Sequence, residues 1–203
     1  MSQIVLPLSV GRDAGPRRIV TGNANARAVD ALAQPDGWPF RTAVLTGPPR
    51  AGKSLLARWF AEVGAGEAND GADAHDETVL FHRWNRAQEG GRPLLLVIDR
   101  APWTISLPDL KSRMGAALQL AIGEPDDDMI AALIEVHAEQ RGLALGEGAL
   151  TYLVPRTERS HADIERLVET IDRLSMERKV AATQSVWRDA LEAIRGPEQG
   201  RLL

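Results

Sequence analysis

The chain of 203 residues contains no cysteine, which removes disulfides, iron–sulfur clusters, thiol nucleophiles and cysteine-based zinc sites from consideration. It has no excess of basic charge. Lysines and arginines number 24 against 28 acids, the net charge is -4 and the two signs are interspersed, so bulk nucleic-acid binding is not indicated. No apolar run approaches the roughly 18 residues that a membrane span requires, and the first residues do not follow the basic, apolar, small-residue order of a signal peptide. A cytoplasmic location without membrane contact is the expectation. The four histidines, His75, His82, His137 and His161, lie too far apart in sequence to form a ligand-spaced pair. No internal repeat or low-complexity tract is evident. What is present is apolar content of 44%, enough for a sizeable core in one domain or in a main domain with an appendage.

One contiguous motif dominates. Gly47-Pro48-Pro49-Arg50-Ala51-Gly52-Lys53-Ser54 satisfies the full GxxxxGK[ST] pattern of a phosphate-binding loop. It follows the apolar run Ala43-Val44-Leu45 and precedes an amphipathic stretch over residues 55–63, so strand, loop and helix stand in the required order. Backbone N–H groups and a helix N-terminus then cradle phosphates, Lys53 reaches the outer ones, and the Ser54 hydroxyl can hold Mg2+. The alternative, a tight Gly/Pro turn with an incidental lysine, does not account for the flanking pattern.

The remaining periodicity divides the chain. Residues 3–8 read as a short extended apolar segment and residues 11–18 as a polar connector. Asn25 offers a cap for a helix over residues 26–32, which ends before Pro35-Asp36-Gly37. Residues 64–76 are rich in Gly, Ala and acids and have room for one short strand. Asp76 or Thr78 starts a helix that Gly90-Gly91 stops, and residues 93–98 form the best buried parallel strand. Leu110, Met114, Ala117 and Leu118 share one face of a further helix, with Ala121-Ile122 as a last short strand. Beyond Pro125 helical periodicity takes over, at about residues 127–140, 147–155, 161–178 and 183–195, with Asp126-Asp127-Asp128 exploiting a helix dipole.

A nucleotide loop of this kind needs an acid at the end of a buried strand to hold the metal shell. Asp99, directly after the apolar residues 94–98, is the stronger candidate on local physics, yet Arg100 stands where a water-orienting acid would follow. Asp70 is the other, with Gly71 in the corresponding place. Either choice leaves the hydrolytic machinery incomplete.

Three further stretches resemble the DnaA/Hda family of AAA+ proteins. Asp99-Arg100-Ala101-Pro102 looks like the Asp-Arg-x-Pro sequence after that family's sensor 1 strand, which moves the Walker B role to Asp70 and leaves Asp99 beside the nucleotide. Residues 107–114, Leu-Pro-Asp-Leu-Lys-Ser-Arg-Met, are similar to the element in which the last arginine is the arginine finger, so Arg113 inherits that role. Gln3, Ile4, Leu6 and Leu8 fall in a segment that looks like the family's tether to the replication sliding clamp. The likeness runs from residue 3 to about 180, including an Asn-x-x-Ala lead-in within residues 19–32. There are departures. Arg50 stands where the loop usually carries Gly, one strand and helix of the usual sheet are missing, and the expected sensor 2 arginine falls on Glu165, with Arg166 one place off and Arg159 nearby.

The resemblance implies an α/β fold, a trimmed P-loop AAA+-like parallel sheet followed by a small all-helical lid. The expected divisions are a clamp-binding peptide and connector over 1–18, the nucleotide-binding domain over 19–124 and the lid over 125–203. It implies ADP or ATP with Mg2+ as cofactors, held by residues 47–54 with Asp99 and Arg166, and Ser54 and Asp70 at the metal. The expectation is that no DNA-binding domain follows the lid, the layout of the family's short regulators. Such a regulator has weak intrinsic hydrolysis and promotes hydrolysis of DnaA-bound ATP in trans. Its partners are DnaA and the sliding clamp, the β subunit of DNA polymerase III, with a homodimer as a further assembly and no direct specific DNA binding. The rival readings are a self-sufficient NTPase or nucleotide kinase using Lys53, Ser54 and Asp99, and a nucleotide-binding scaffold without trans activity.

Overall fold

Residues 5–7 and 18–195 are described by the computed structural model. In chain order the elements are β1 (Val5–Pro7), β2 (Arg18–Val20), α1 (Ala26–Leu32), β3 (Thr42–Thr46), α2 (Lys53–Glu62), β4 (Glu67–Asn69), α3 (Glu77–Glu89), β5 (Leu94–Val97), α4 (Pro108–Ala116), β6 (Leu118–Ala121), α5 (Asp127–Arg141), α6 (Ala149–Leu153), α7 (His161–Arg178) and α8 (Gln184–Arg195). The described residues fall into two compact units, Asn23–Gly123 and a second built from those before Asn23 together with those from Glu124 to Arg195.

The first unit is an α/β layer structure. Its sheet is four-stranded and parallel, in the order β4-β5-β3-β6. Every residue of β5 is buried, as a parallel strand covered on both faces requires. The register sets Val44 opposite both Leu96 and Gln119, so β3 is an inner strand and ends level with β5. On one side Val44, Leu96 and Ile98 pack with Leu80, Leu110 and Met114 in a continuous apolar cluster. Asp76 caps α3 by accepting the N–H groups of Thr78 and Val79, and Gly90 closes it, as the sequence predicts. The glycine-rich stretch before α3 does hold one short strand, β4.

The expected helix through Leu118 is shorter. It stops at Ala116 because the Gln119 side chain donates to the carbonyls of Met114 (2.8 Å) and Ala117 (3.2 Å), closing its last turn. Leu118 then opens β6, whose backbone groups find a ladder along β3. The last strand is therefore Leu118–Ala121 rather than a pair at residues 121–122, although the Ile122 N–H still reaches Thr46 O at 2.9 Å.

The second unit is helical. Asp126 and Ser160 cap α5 and α7 through the N–H groups of Met129 and Asp163, and Gly142, with φ of 64°, ends α5. Its core gathers Ile134, Leu153, Ile164, Leu167, Ile171 and Trp187. The expected helices appear as α5 to α8, with α6 tightening into a 3-10 turn over Val154–Arg156. β2 belongs to this unit and not to the domain expected to begin at residue 19. The reason is packing: Ile19 and Val20 are buried, and Arg18 pairs with Glu139 of α5 at 2.7 Å. β1 runs antiparallel to β2, with Leu6 opposite Ile19. Gln3, Ile4 and Leu8 of the expected clamp-binding segment lie outside the described residues. Among the described residues no helix is long and apolar enough to cross a membrane.

Candidate functional site

The loop of residues 47–52 leaves the carboxyl end of β3 and feeds straight into α2, whose first residue is Lys53. In an open parallel sheet this end, where loop and helix N-terminus meet, is where a phosphate finds backbone donors and a favourable dipole. Gly47 is required by close approach, since a Cβ there would lie 2.9 Å from Ile122 Cβ. Gly52 adopts φ of 83°, a left-handed conformation open to glycine. Arg50 also has positive φ, 65°, so this chain places an arginine where the backbone favours glycine.

Lys53 is only 6% exposed, and its ammonium is fully engaged. It donates to the carbonyls of Gly47 (3.0 Å) and Pro48 (3.2 Å) and lies 3.2 Å from Asp99 Oδ1. The side chain is thereby held across the loop it serves. Ser54, at the next position of α2, is exposed and accessible to a metal–phosphate group.

Both candidate acids stand at the carboxyl ends of strands. Asp99 follows β5, adjacent to β3, and makes the contact with Lys53. Asp70 follows β4, one strand farther from the loop, and is exposed. Asp73, which the sequence reading did not single out, ties the two regions together by accepting the backbone N–H groups of Asp99 and Arg100, each at 3.0 Å. Burial raises its pKa, but these amides, its own N–H and the Arg100 charge more than offset this and hold the carboxyl below its ordinary value. No group of three or more acidic or histidine side chains gathers as a metal site among the described residues. Ser54 with one carboxylate and the ligand's own phosphates is the donor set such loops offer Mg2+.

Arg113 does not project freely from α4. Its guanidinium lies over the rings of Phe81 (4.3 Å) and Trp84 (4.1 Å) of α3, and its Nη1 donates to Asn85 Oδ1. Arg166 belongs to the helical unit, where it approaches Asp163 at 3.7 Å. In the same unit Arg159 donates to the Pro125 carbonyl and to Asp127 at the start of α5.

Residues 126–184 match the family model described as Hda, lid domain. An uncharacterised protein of Haemophilus influenzae is 27% identical over 50% of this chain and 45% of its own length. The chromosomal replication initiator protein DnaA of Thermus thermophilus is 29% identical over 59% of this chain and 28% of its own. The chain is similar to DnaA-related proteins and carries an Hda-type lid over residues 126–184. Less than half of each curated relative is thus spanned. Domain III of the Thermotoga maritima replication initiation protein DnaA has the same fold, with a TM-score of 0.71 at 14% identity, covering 88% of this chain and 95% of that one. The Thermotoga maritima RuvB branch migration motor is similar at a TM-score of 0.58 and 15% identity, over 85% and 69% of the two chains. A DnaA bound to AMPPCP and single-stranded DNA also shares the fold, with a TM-score of 0.55 at 17% identity, over 78% and 65%. These likenesses establish the expected P-loop AAA+ α/β fold and the helical lid.

The structure brings Gly47, Pro48, Lys53 and Asp99 together and leaves Asp70 one strand farther out, after β4, while Arg166 stands in the other unit. The residues missed by the sequence reading are Asp73 and the α3 side chains under Arg113. Their one sequence signal is spacing: positions 77, 81, 84 and 85 fall on a single helical face.

Proposed function

We propose that this protein is a regulator of DnaA that binds a nucleotide, ADP or ATP with Mg2+, in the residue 47–54 loop. It promotes hydrolysis of DnaA-bound ATP in trans through Arg113. The observation that carries the reading is the Hda lid match over residues 126–184, on a chain whose loop strand, sheet and helices follow the AAA+ order. Among the structural neighbours, one DnaA is bound to AMPPCP, which supports nucleotide binding at the equivalent loop. Gly71 after Asp70 leaves no second acid in line to orient water, so intrinsic turnover is weak. An arginine supplied to a neighbour's nucleotide neutralises charge developing on the transferred phosphoryl and is worth roughly 10³ to 10⁵ in rate. Gln3, Ile4, Leu6 and Leu8 supply the tether to the sliding clamp, an extended peptide whose alternate side chains enter apolar pockets. The regulator would act without reading DNA sequence itself, and self-association into a homodimer is compatible with this role.

The experiment is hydrolysis of ATP by the cognate DnaA in the presence of DNA-loaded clamp, with and without this protein. Stimulation that disappears with Arg113→Ala and with deletion of residues 3–8 supports the tethered regulator. Binding of clamp and nucleotide without stimulation leaves a scaffold. Turnover by this protein alone, dependent on Lys53, moves it to the independent NTPases.

A further inference from the structure

The face of α3 opposite the exposed side is fastened to α4 at both ends. Glu77 receives the backbone N–H of Ser106 on Oε1 (2.9 Å) and that of Leu107, the cap residue of α4, on Oε2 (2.6 Å). One and two turns farther along the same face, Phe81, Trp84 and Asn85 receive the Arg113 guanidinium from the other end of α4. The rack is itself anchored: Trp84 Nε1 donates to Thr42 Oγ1 at 3.0 Å, and Gln88 Nε2 donates to the Phe40 carbonyl at 2.8 Å. Thr42 is the first residue of β3, the strand that delivers the nucleotide loop.

A surface arginine gains little from such attention. A guanidinium resting on two aromatic faces with a further side-chain acceptor has lost most of its rotamer freedom before any partner arrives. An arginine that must meet a phosphoryl oxygen within a few tenths of an ångström profits from that loss, since ordering it later would be subtracted from its effect. We infer that Glu77, Phe81, Trp84 and Asn85 are positioning residues: they form a rack on α3 that sets Arg113 for its work on a neighbouring molecule's nucleotide. This rests on the reading of Arg113 as the arginine supplied in trans. The rack governs the maximal rate of stimulated hydrolysis and not the concentration of this protein needed to reach half of it.

The test is stimulated hydrolysis by ATP-loaded cognate DnaA with DNA-loaded clamp, titrated with full-length wild-type protein, Trp84→Leu, Trp84→Phe, Glu77→Gln and Arg113→Ala, the folded fraction of each measured by circular dichroism. Trp84→Leu removes an aromatic face and is expected to lower the maximal stimulated rate about ten-fold, with the half-saturating concentration unchanged. Trp84→Phe, which restores a ring without the indole N–H, recovers most of it. Glu77→Gln leaves the aromatic stack in place and lowers the rate through α4 alone, so it decides the matter if Trp84→Leu does not fold. Combined with Arg113→Ala, neither substitution causes further loss. Full maximal stimulation by folded Trp84→Leu and Glu77→Gln, with none by Arg113→Ala, overturns the rack and leaves the arginine's role standing. Full stimulation by Arg113→Ala overturns both.

Discussion

Asp73 accepts the backbone N–H of Asp99 on Oδ1 and that of Arg100 on Oδ2, each at 3.0 Å. One carboxylate thereby fixes the turn that follows β5 and sets the backbone of the acid facing Lys53. Burial pushes the Asp73 pKa up, but hydrogen bonding to the charged form wins, and the folded value lies below the ordinary 3.8. A carboxyl whose pKa is depressed by folding stabilises fully above its unfolded value, and the contribution disappears as pH falls through the folded one. Asp73→Asn should therefore cost about 0.5–1 kcal/mol at pH 7, discounted for solvent screening. Urea titrations should show the gap to wild type closing below about pH 3.8, the ordinary value of the group.

Arg50 carries a side chain in a left-handed backbone conformation, φ of 65°. Relieving that strain with glycine recovers roughly 1–2 kcal/mol, and the greater freedom of glycine in the unfolded chain takes back about 0.4–1. Arg50→Gly should therefore be more stable than Arg50→Ala by about 0.5–1 kcal/mol. Denaturation midpoints of the two variants make the comparison. Equal midpoints would mean that the loop relaxes around any residue.

Gly47 has the opposite requirement, for space. A methyl group there meets Ile122 Cβ at 2.9 Å, so Gly47→Ala must displace either the loop or the residue after β6. The expected cost is about 1–3 kcal/mol in stability, with weaker nucleotide binding. Urea unfolding and titration with a fluorescent ADP analogue read the two effects separately.

Lys53 makes its hydrogen bonds to the loop's own carbonyls and sits beside Asp99, so its removal subtracts donors without leaving a partner sealed from water: Asp99 is 66% exposed. Lys53→Ala should keep the far-ultraviolet circular dichroism of the wild type and weaken ADP binding about ten- to a hundred-fold by calorimetry. Unchanged affinity would show that this lysine does not reach the phosphates.

What could be read in advance follows from how local each signal is. The phosphate loop is contiguous, and its flanking strand and helix are announced by residues 43–63. α3 was bounded by Asp76 at one end and Gly90-Gly91 at the other, both acting within a turn of the helix. The boundary between α4 and β6 escaped because Leu118 suits a helical stripe and a strand equally, and the deciding bond comes from the Gln119 side chain. Residues 19–22 read as part of the lead-in to the phosphate loop by family resemblance, whereas the packing of Ile19 and Val20 and the pair Arg18–Glu139 set them with the helical unit. The contacts of Asp73 and of the rack under Arg113 join residues 26 to 32 positions apart, and the shared helical face of positions 77, 81, 84 and 85 does not say what it meets.

The sheet order β4-β5-β3-β6 sets the strands before the loop and before Asp99 as the two inner strands, with β4 at the rim. Material can therefore be deleted or grafted beyond β4 without moving either inner strand, because each keeps both of its ladder neighbours. A lineage shortening such a domain meets least resistance at that rim, and so would an engineer seeking a permissive insertion point.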